Sequence, residues 1–410
     1  MNFIKREKLI ASLLQHRDSP EVKVLTGVRR CGKSTLLAKY AELIEHSGVP
    51  KSNIFAKRFD AFDVPIGYDA KDLQSDLTHA IAQAQPGPFY VFLDEIQDVP
   101  GWEEVVRRLH TRQDTDVYIT GSNAWLLSGE LATYLAGRYI AIPVYPLSFA
   151  EYREYRQSQG TNDSVDSLFA QYMMFGGMPG LFVTGLPNEA KATEMLTAVY
   201  ESVVVKDVVQ RYGVRDLSTL EKLTRYLFST SGNLFSVNNV VKTLKSTGID
   251  VTHATVDNQI DALEKAFIVY CAEQSRIRGK ELLRPQRKYY PVDNGLRNLA
   301  TGFNGSDRGA QLEGIVFMEL KRRGYRVSVG TLPSGEIDFV AQRNAEKQYI
   351  QVTLNMTEEH TRQRELAPLQ KLDSAFPRLV LTLDWYSGGV TSEGIVITNV
   401  IDWLCGLMSC

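Results

Sequence analysis

Hydrophobic runs of strand character alternate with helix-spaced stretches along the first third of the chain. VKVLT (22–26) is a mostly apolar, β-branched run of the kind buried on both faces of a parallel sheet. NIFAKRFD, FYVFLD, DVYITG and YIAIPV have the same character, with helical spacing between several of them. This alternation predicts an α/β domain built on a parallel sheet over residues 1–145. The leading MNFIKREKLIASLLQH is an amphipathic helix with charges throughout and lacks a signal-peptide core. Residues 146–215 read as mostly helical, broken at FGGMPGL (175–181), where glycines and a proline force a turn.

The period changes over 216–300. STLEKLTRYLFSTS and LFSVNNVVKTLKSTG read as helices, the second stopped by Gly248. THATVDNQIDALEKAF is a third, with Thr252 placed as its cap. IVYCAEQSRIRGKELLRPQRKYYPV then reads as two strands with a basic tip, and three helices followed by a hairpin is the layout of a winged helix. Residues 301–410 open with a helix (QLEGIVFMELKRRG), followed by strands YRVSVGT, EIDFVAQ and YIQVTL, a helix near 361–374, the strand RLVLTLD, and a final strand and helix.

Composition narrows the classes. The chain has 410 residues, 44% hydrophobic and 23% charged, an ordinary globular profile. A net charge of −2 excludes a globally basic nucleic-acid binder but leaves room for a local basic patch. No apolar run approaches the ~20 residues of a membrane span. Cys31, Cys271, Cys405 and Cys410 show no CxxC spacing, which fits a reducing cytoplasm without disulfides or zinc.

The chemistry is concentrated in GVRRCGKS (27–34), a G-x-x-x-x-G-K-[ST] motif between a predicted strand and a predicted helix. Its glycines, Gly27 and Gly32, let backbone N–H groups curl around phosphates, with Arg30 in the loop beside them. Lys33 would reach the β- and γ-phosphate oxygens of ATP, Ser34 would ligate Mg²⁺ and Thr35 would touch the α-phosphate. FYVFLDEIQD ends in Asp94, placed for the Mg²⁺ shell, and Glu95, placed to polarise the attacking water. On the next strand Asn123 is the candidate for holding that water, although Gly121-Ser-Asn is equally a turn sequence. Arginine suits charge building on phosphate oxygens, which makes Arg29, Arg30 and Arg138 candidates. Arg138 would act in cis or on a neighbouring subunit, and for each of the three a solvated or structural arginine is the plainer reading.

GVRRCGKST, FLDEIQDVPGWE, ITGSN with LLSGELATYLAGR, and FGGMPG resemble the bacterial and archaeal AAA-type P-loop ATPases. More narrowly, with KYYPVDNGLRN, LEGIVFMELKRRGY, EIDFVA and VITNVIDWL, they resemble the branch carrying a C-terminal restriction-endonuclease-like domain of unknown function. The resemblance covers nearly the whole chain. It implies an AAA-type core over 1–145 with strand order 5-1-4-3-2, a helical lid over 146–215, a winged helix over 216–300 and a nuclease-like α/β domain over 301–410.

In the winged helix, Thr255, Asn258, Gln259 and Asp261 form the polar face of the recognition helix. Ala254, Val256, Ile260, Leu263 and Phe267 form its core side. Arg276, Arg278, Lys280, Arg284, Arg287 and Lys288 make a basic wing suited to phosphate-backbone contact. Such modules also serve as lids or protein-docking units, and basic runs are commonly just solvated.

In the last domain, SGEIDFVAQRNAEKQYIQVTLN places Glu336 and Asp338 on one strand and Gln351 and Thr353 on the next. The resemblance implies that Glu313, Asp338 and Gln351 converge as a second metal site, where related domains often end Glu-x-Lys. Gln351-Val-Thr353 lacks one anion and the lysine, which weakens metal affinity and water activation and favours a structural or DNA-docking sheet. Three functions stay open: an ATP-driven switch acting on DNA or a protein partner, alone or as a homo-oligomer, an ATP-regulated nuclease, and a nucleotide-gated scaffold.

Overall fold

The computed structural model describes residues 4–121, 137–183, 188–210, 213–214, 216–275, 287–303, 307–332 and 335–407. The chain divides into two compact units: residues 2–145 with 265–267, and residues 146–264 with 268–410.

The first unit holds α1 (Glu7–Gln15), β1 (Val22–Thr26), α2 (Lys33–His46), β2 (Ile54–Arg58), α3 (Ala70–Ala82), β3 (Phe89–Asp94), α4 (Trp102–Leu109), β4 (Thr115–Gly121) and β5 (Tyr139–Pro143). The five strands form one parallel sheet in the order β2-β3-β4-β1-β5. Read from the other edge this is 5-1-4-3-2, the order expected. β1 and β3 are buried at every position, which is why they read as continuous apolar runs. One layer of the core joins Leu93 and Ile119 of the sheet to Leu73 and Leu77 of α3 and Trp102 and Val106 of α4. The helices start on local signals. Asp69 caps α3 with a reciprocal bond from its own N–H to Asp72.

Every strand of the parallel sheet points the same way, so its C-terminal ends share one rim. Thr26, Arg58, Asp94 and Thr120 all stand at or beside that rim. Ligands of open α/β sheets bind outside the carboxyl ends of the strands.

The second unit opens with helices α5 (Phe149–Ser158), α6 (Val165–Phe175) and α7 (Glu189–Glu201), the last running into a π-helical stretch, Ser202–Gln210. Then come α8 (Leu217–Ser229), β6 (Leu234–Phe235), α9 (Val237–Ser246), α10 (His253–Lys265), β7 (Val269–Glu273) and β8 (Arg287–Pro291). The three strands form an antiparallel sheet, β6-β8-β7, so a short strand joins the expected hairpin. Thr252 caps α10 by accepting from the Thr255 N–H at 3.1 Å. Two residues of α10 face opposite to expectation: Gln259 is buried and Ala254 is exposed.

α11 (Asn294–Thr301) and α12 (Arg308–Arg322) lead into β9 (Arg326–Leu332), β10 (Gly335–Arg343), β11 (Glu346–Thr353), α13 (Glu359–Gln370), β12 (Arg378–Thr382), β13 (Gly389–Val390), β14 (Val396–Asn399) and α14 (Val400–Cys405). The six strands form one mixed sheet, β13-β14-β12-β11-β10-β9. β9, β10 and β11 are an antiparallel meander, and β12 joins β11 in parallel through α13. Among the described residues no helix is long and apolar enough to cross a membrane.

Candidate active site

The loop between β1 and α2 takes its shape from two glycines and one strained residue. Gly27 has φ 148° and Gly32 has φ 102°, while Arg30 sits in the left-handed region at φ 65°. A Cβ on Gly27 would lie 2.0 Å from the Val144 carbonyl oxygen, so no side chain fits there. The same carbonyl accepts from the Cys31 thiol at 3.1 Å, and the Arg6 guanidinium donates to the Cys31 carbonyl at 3.2 Å. The loop is thus fastened on both sides. Lys33 begins α2, is buried, and donates to the carbonyls of Gly27 at 2.9 Å and Val28 at 3.2 Å. Its ammonium lies inside the curve of the loop, in front of a helix N-terminus whose dipole favours anions. Arg30 and Thr35 are exposed, and Ser34 is half-buried.

The end of β3 meets this loop. The Ser34 hydroxyl hydrogen-bonds the Asp94 carboxylate. The Thr120 hydroxyl donates to Asp94 Oδ1 at 2.5 Å and accepts from the Glu95 N–H at 3.0 Å. Thr120 therefore bridges the two acids from the end of β4. Glu95 has φ 54°, a left-handed conformation that costs energy in a non-glycine residue and recurs at functional sites. The Gln97 amide donates to its carboxylate.

Burial pushes the Asp94 carboxyl above the usual carboxylate range, the Thr120 and Ser34 hydrogen bonds oppose that, and the Glu95 charge adds to it. A cation beside Asp94 would restore its ionised form. Ser34 and Asp94 are the hard oxygen donors that Mg²⁺ takes.

Arg58, the last residue of β2, stands next to Asp94 in register and reaches to 3.9 Å from its Oδ2, while forming a bidentate pair with Asp60. Thr120 and Arg58 were not among the expected site residues. The signal for both is simple: each is a polar residue at the C-terminal end of a strand of the parallel sheet.

Two expected residues fall elsewhere. Asn123 lies outside the described residues. Arg138 precedes β5, and its carbonyl accepts from the Val22 N–H at 3.1 Å, at the start of β1. That is the opposite end of the sheet from the loop at 27–32, about 15 Å away along five residues of strand. Arg138 therefore does not serve the phosphate loop of its own chain.

In the second unit, Arg276, Arg278, Lys280 and Arg284 lie outside the described residues. Arg287 pairs with Glu273 at 3.2 Å. Lys288 is a correction. It is 4% exposed, and its ammonium meets Glu336 and, at 3.5 Å, Glu313. It is not a free basic residue of a wing. Thr255, Asn258 and Asp261 are exposed on α10.

The expected second metal site is also different in detail. The Gln351 side-chain carbonyl accepts from the Asp338 N–H at 3.4 Å and its amide donates to Glu365 at 2.9 Å. Asp338 Oδ2 accepts from the Val352 N–H at 2.8 Å, and Glu313 accepts from the Tyr290 hydroxyl at 2.7 Å. Among the described residues no group of three or more His, Cys, Asp or Glu side chains is arranged to hold a metal. Glu313 and Asp338, both half-buried, do share one cluster, with a buried ammonium in it. That ammonium belongs to Lys288, on a strand of the three-stranded sheet.

A family model described as an AAA domain matches residues 19–153, and one described as a domain of unknown function (DUF8612) matches residues 166–307. An uncharacterized protein of Haemophilus influenzae is 38% identical over 402 residues, which cover 98% of this chain and 98% of the relative. The uncharacterized protein MJ1544 of Methanocaldococcus jannaschii is 25% identical over 388 residues, 90% of this chain and 83% of the relative. Among solved structures, the Walker-type ATPase paby2304 of Pyrococcus abyssi has a similar fold, with a TM-score of 0.51 and 15% identity over 73% of this chain and 96% of that one. The chain belongs to one family with the Haemophilus influenzae protein, and its first unit has the fold of an AAA-type P-loop ATPase.

Proposed function

We propose that the protein is a Mg²⁺-dependent ATPase working as a molecular switch. The observation that carries this is the chain of contacts Ser34–Asp94–Thr120–Glu95 beside the Lys33 ammonium. Gly27, Arg30, Gly32 and Thr35 would complete the phosphate loop. Mg²⁺ held by Ser34 and Asp94 would neutralise phosphate charge. Lys33 would bind the terminal phosphates, and Glu95 would orient the attacking water and accept its proton. Thr120 fixes the Glu95 backbone against Asp94, so the base and the metal ligand are set as one piece.

The switch would act through the second unit. There α8, α9 and α10 with the sheet β6-β8-β7 have the order of elements of a winged helix, and Thr255, Asn258 and Asp261 on α10 would be the residues that meet DNA. The meander β9–β11 with β12 added in parallel through α13 fits a restriction-endonuclease-like domain. We place the helical lid over 146–215 and these modules over 216–300 and 301–410.

The test is nucleotide binding and turnover by Lys33→Ala and Glu95→Gln. Lys33→Ala should lose tight nucleotide binding, and Glu95→Gln should bind nucleotide without turning it over. An unchanged ATPase rate in Glu95→Gln would remove Glu95 as the base. DNA as the target requires a mobility shift that weakens with salt; no shift at any salt concentration would leave a protein partner or a nucleotide-gated scaffold.

A further inference from the structure

The cluster around Lys288 brings together side chains from four elements. Glu313 comes from α12, Glu336 and Asp338 from β10, Gln351 from β11, and Lys288 and Tyr290 from the same face of β8. β10 is bulged between Ile337 and Val340, the irregularity that re-aims a side chain at this point of the strand.

Glu313 is closely surrounded. The Tyr290 hydroxyl and the Lys288 ammonium contact one of its oxygens, and a Cβ on Gly232 would fall 2.9 Å from the other. Phe317, stacked on Tyr290 at 4.2 Å between ring centroids, backs the site with apolar surface, and Phe339 lies tilted against both rings.

Such a site needs positive charge. Carboxylates removed from water are strongly disfavoured unless paired. Burial pushes the Asp338 carboxyl well above its usual range, and the charge of Glu313 pushes it further, with Lys288 opposing both. Glu365, the next acid outward, is already held by Arg364 and the Gln351 amide. The ammonium that does the neutralising cannot simply withdraw. β8 is the middle strand of its sheet, and Lys288 is in register with Leu234 on one side and Ala272 on the other.

We propose that the Lys288 ammonium is the resident cation of this cluster. It stands where a divalent ion would have to bind, and its pairs with Glu336 and Glu313 form a charged clamp between the three-stranded and six-stranded sheets, with Asp338 beside them. The carboxylates are then not a centre for metal-dependent phosphodiester cleavage.

The test is Mn²⁺ binding by the nucleotide-free full chain, read as the electron paramagnetic resonance signal of free Mn²⁺. Wild type and Asp338→Asn should bind Mn²⁺ indistinguishably. Lys288→Met should gain a site at least tenfold tighter than any in wild type, and the Asp338→Asn change added to it should remove that site. Lys288→Arg keeps the charge and should gain nothing. The proposal is overturned if Asp338→Asn weakens Mn²⁺ binding of the otherwise wild-type protein tenfold, or if folded Lys288→Met gains no site. Should Lys288→Met fail to fold, wild type against Asp338→Asn decides alone: equal binding supports the resident ammonium and lost binding overturns it.

Discussion

The backbone N–H of Gly177 donates to Asp293 Oδ2 at 2.6 Å, joining two sequence motifs 116 residues apart. Asp293 also caps α11, accepting from the Gly295 N–H at 2.9 Å and the Leu296 N–H at 3.3 Å. The glycines on both sides are there for space. A Cβ on Gly176, at φ 76°, would lie 2.0 Å from Asp293 Oδ1, one on Gly177 2.3 Å from the Leu147 carbonyl oxygen, and one on Gly295 2.1 Å from the Phe175 carbonyl oxygen. Gly177→Ala should therefore destabilise the fold by about 2 kcal/mol or more and lower the urea midpoint, because the obstacle is backbone. A urea melt indistinguishable from wild type would show that this junction yields.

Asp293 gives the same junction a pH dependence. Burial pushes its carboxyl up to about 6, against the pull of the N–H donors of Gly177, Leu296 and Gly295. The folded-state value is raised, so its contribution to stability is fully present below the ordinary carboxylate range. That contribution is lost as pH rises through about 6. The loss is on the order of 3 kcal/mol at most, from a shift of about two pH units at 1.36 kcal/mol each. Asp293→Asn cannot titrate. It should be the less stable protein throughout, and its deficit against wild type should shrink between pH 4 and pH 7. A deficit that stays constant, or grows, across that range would mean that Asp293 is already ionised at pH 4.

Thr120 carries a prediction that separates turnover from binding. Its hydroxyl is the link between Asp94 and the backbone of Glu95. Thr120→Val keeps the shape and removes both bonds. ATP turnover should fall by about a hundredfold, the range of a misplaced general base, while Lys33 and the loop still bind nucleotide. Equal losses in binding and turnover would instead mean that Thr120 supports the loop.

What was legible in the sequence follows from where burial is uniform. β1 and β3 are covered on both faces, so their apolar runs stand out, and the glycine-framed loop between β1 and α2 has one spacing that works. Lys288 was unreadable for the opposite reason. A basic residue in RPQRKYYPV has the same letter whether solvated or buried on a carboxylate, and the deciding partners, Glu313 and Glu336, lie 25 and 48 residues away. The period-2 pairing of Lys288 with Tyr290 on one face of β8 was the available hint. Gln259 and Ala254 were assigned to the wrong sides of α10 because a helix face is buried by what packs on it, and polarity alone does not report that. Thr120 and Arg58 belong to no motif, and only their place at strand ends, where a parallel sheet presents its chemistry, marks them.

Arg138 yields a prediction about assembly. It sits at the start of β5, exposed, at the end of the sheet away from the phosphate loop. A role in phosphate chemistry then requires a neighbouring copy. ATPase rate per chain should rise with protein concentration in wild type, and Arg138→Ala should remove that rise while leaving the rate at low concentration unchanged. A rate per chain that is flat with concentration in wild type would take Arg138 out of the reaction.

At that same end of the sheet, Lys23 and Asp116 form a buried ion pair, Nζ to Oδ1 at 2.5 Å, with Lys23 fully buried on β1 and Asp116 on β4. Further hydrogen bonds surround the pair. Lys23 donates to the Ser19 carbonyl at 2.7 Å, and Asp116 Oδ2 accepts from the Asp18 N–H at 2.9 Å and the Tyr118 hydroxyl at 2.8 Å. Lys23→Met leaves the aspartate charged and dry, and should cost about 3–5 kcal/mol. Adding Asp116→Asn removes the charge while keeping an acceptor for Tyr118 and Asp18, and should recover a large part of that loss. Urea melts of the two single variants and the double variant measure the coupling. Additive losses would mean that the pair is solvated in solution, and a double variant more stable than Lys23→Met would show that the uncompensated charge, not lost packing, is the cost.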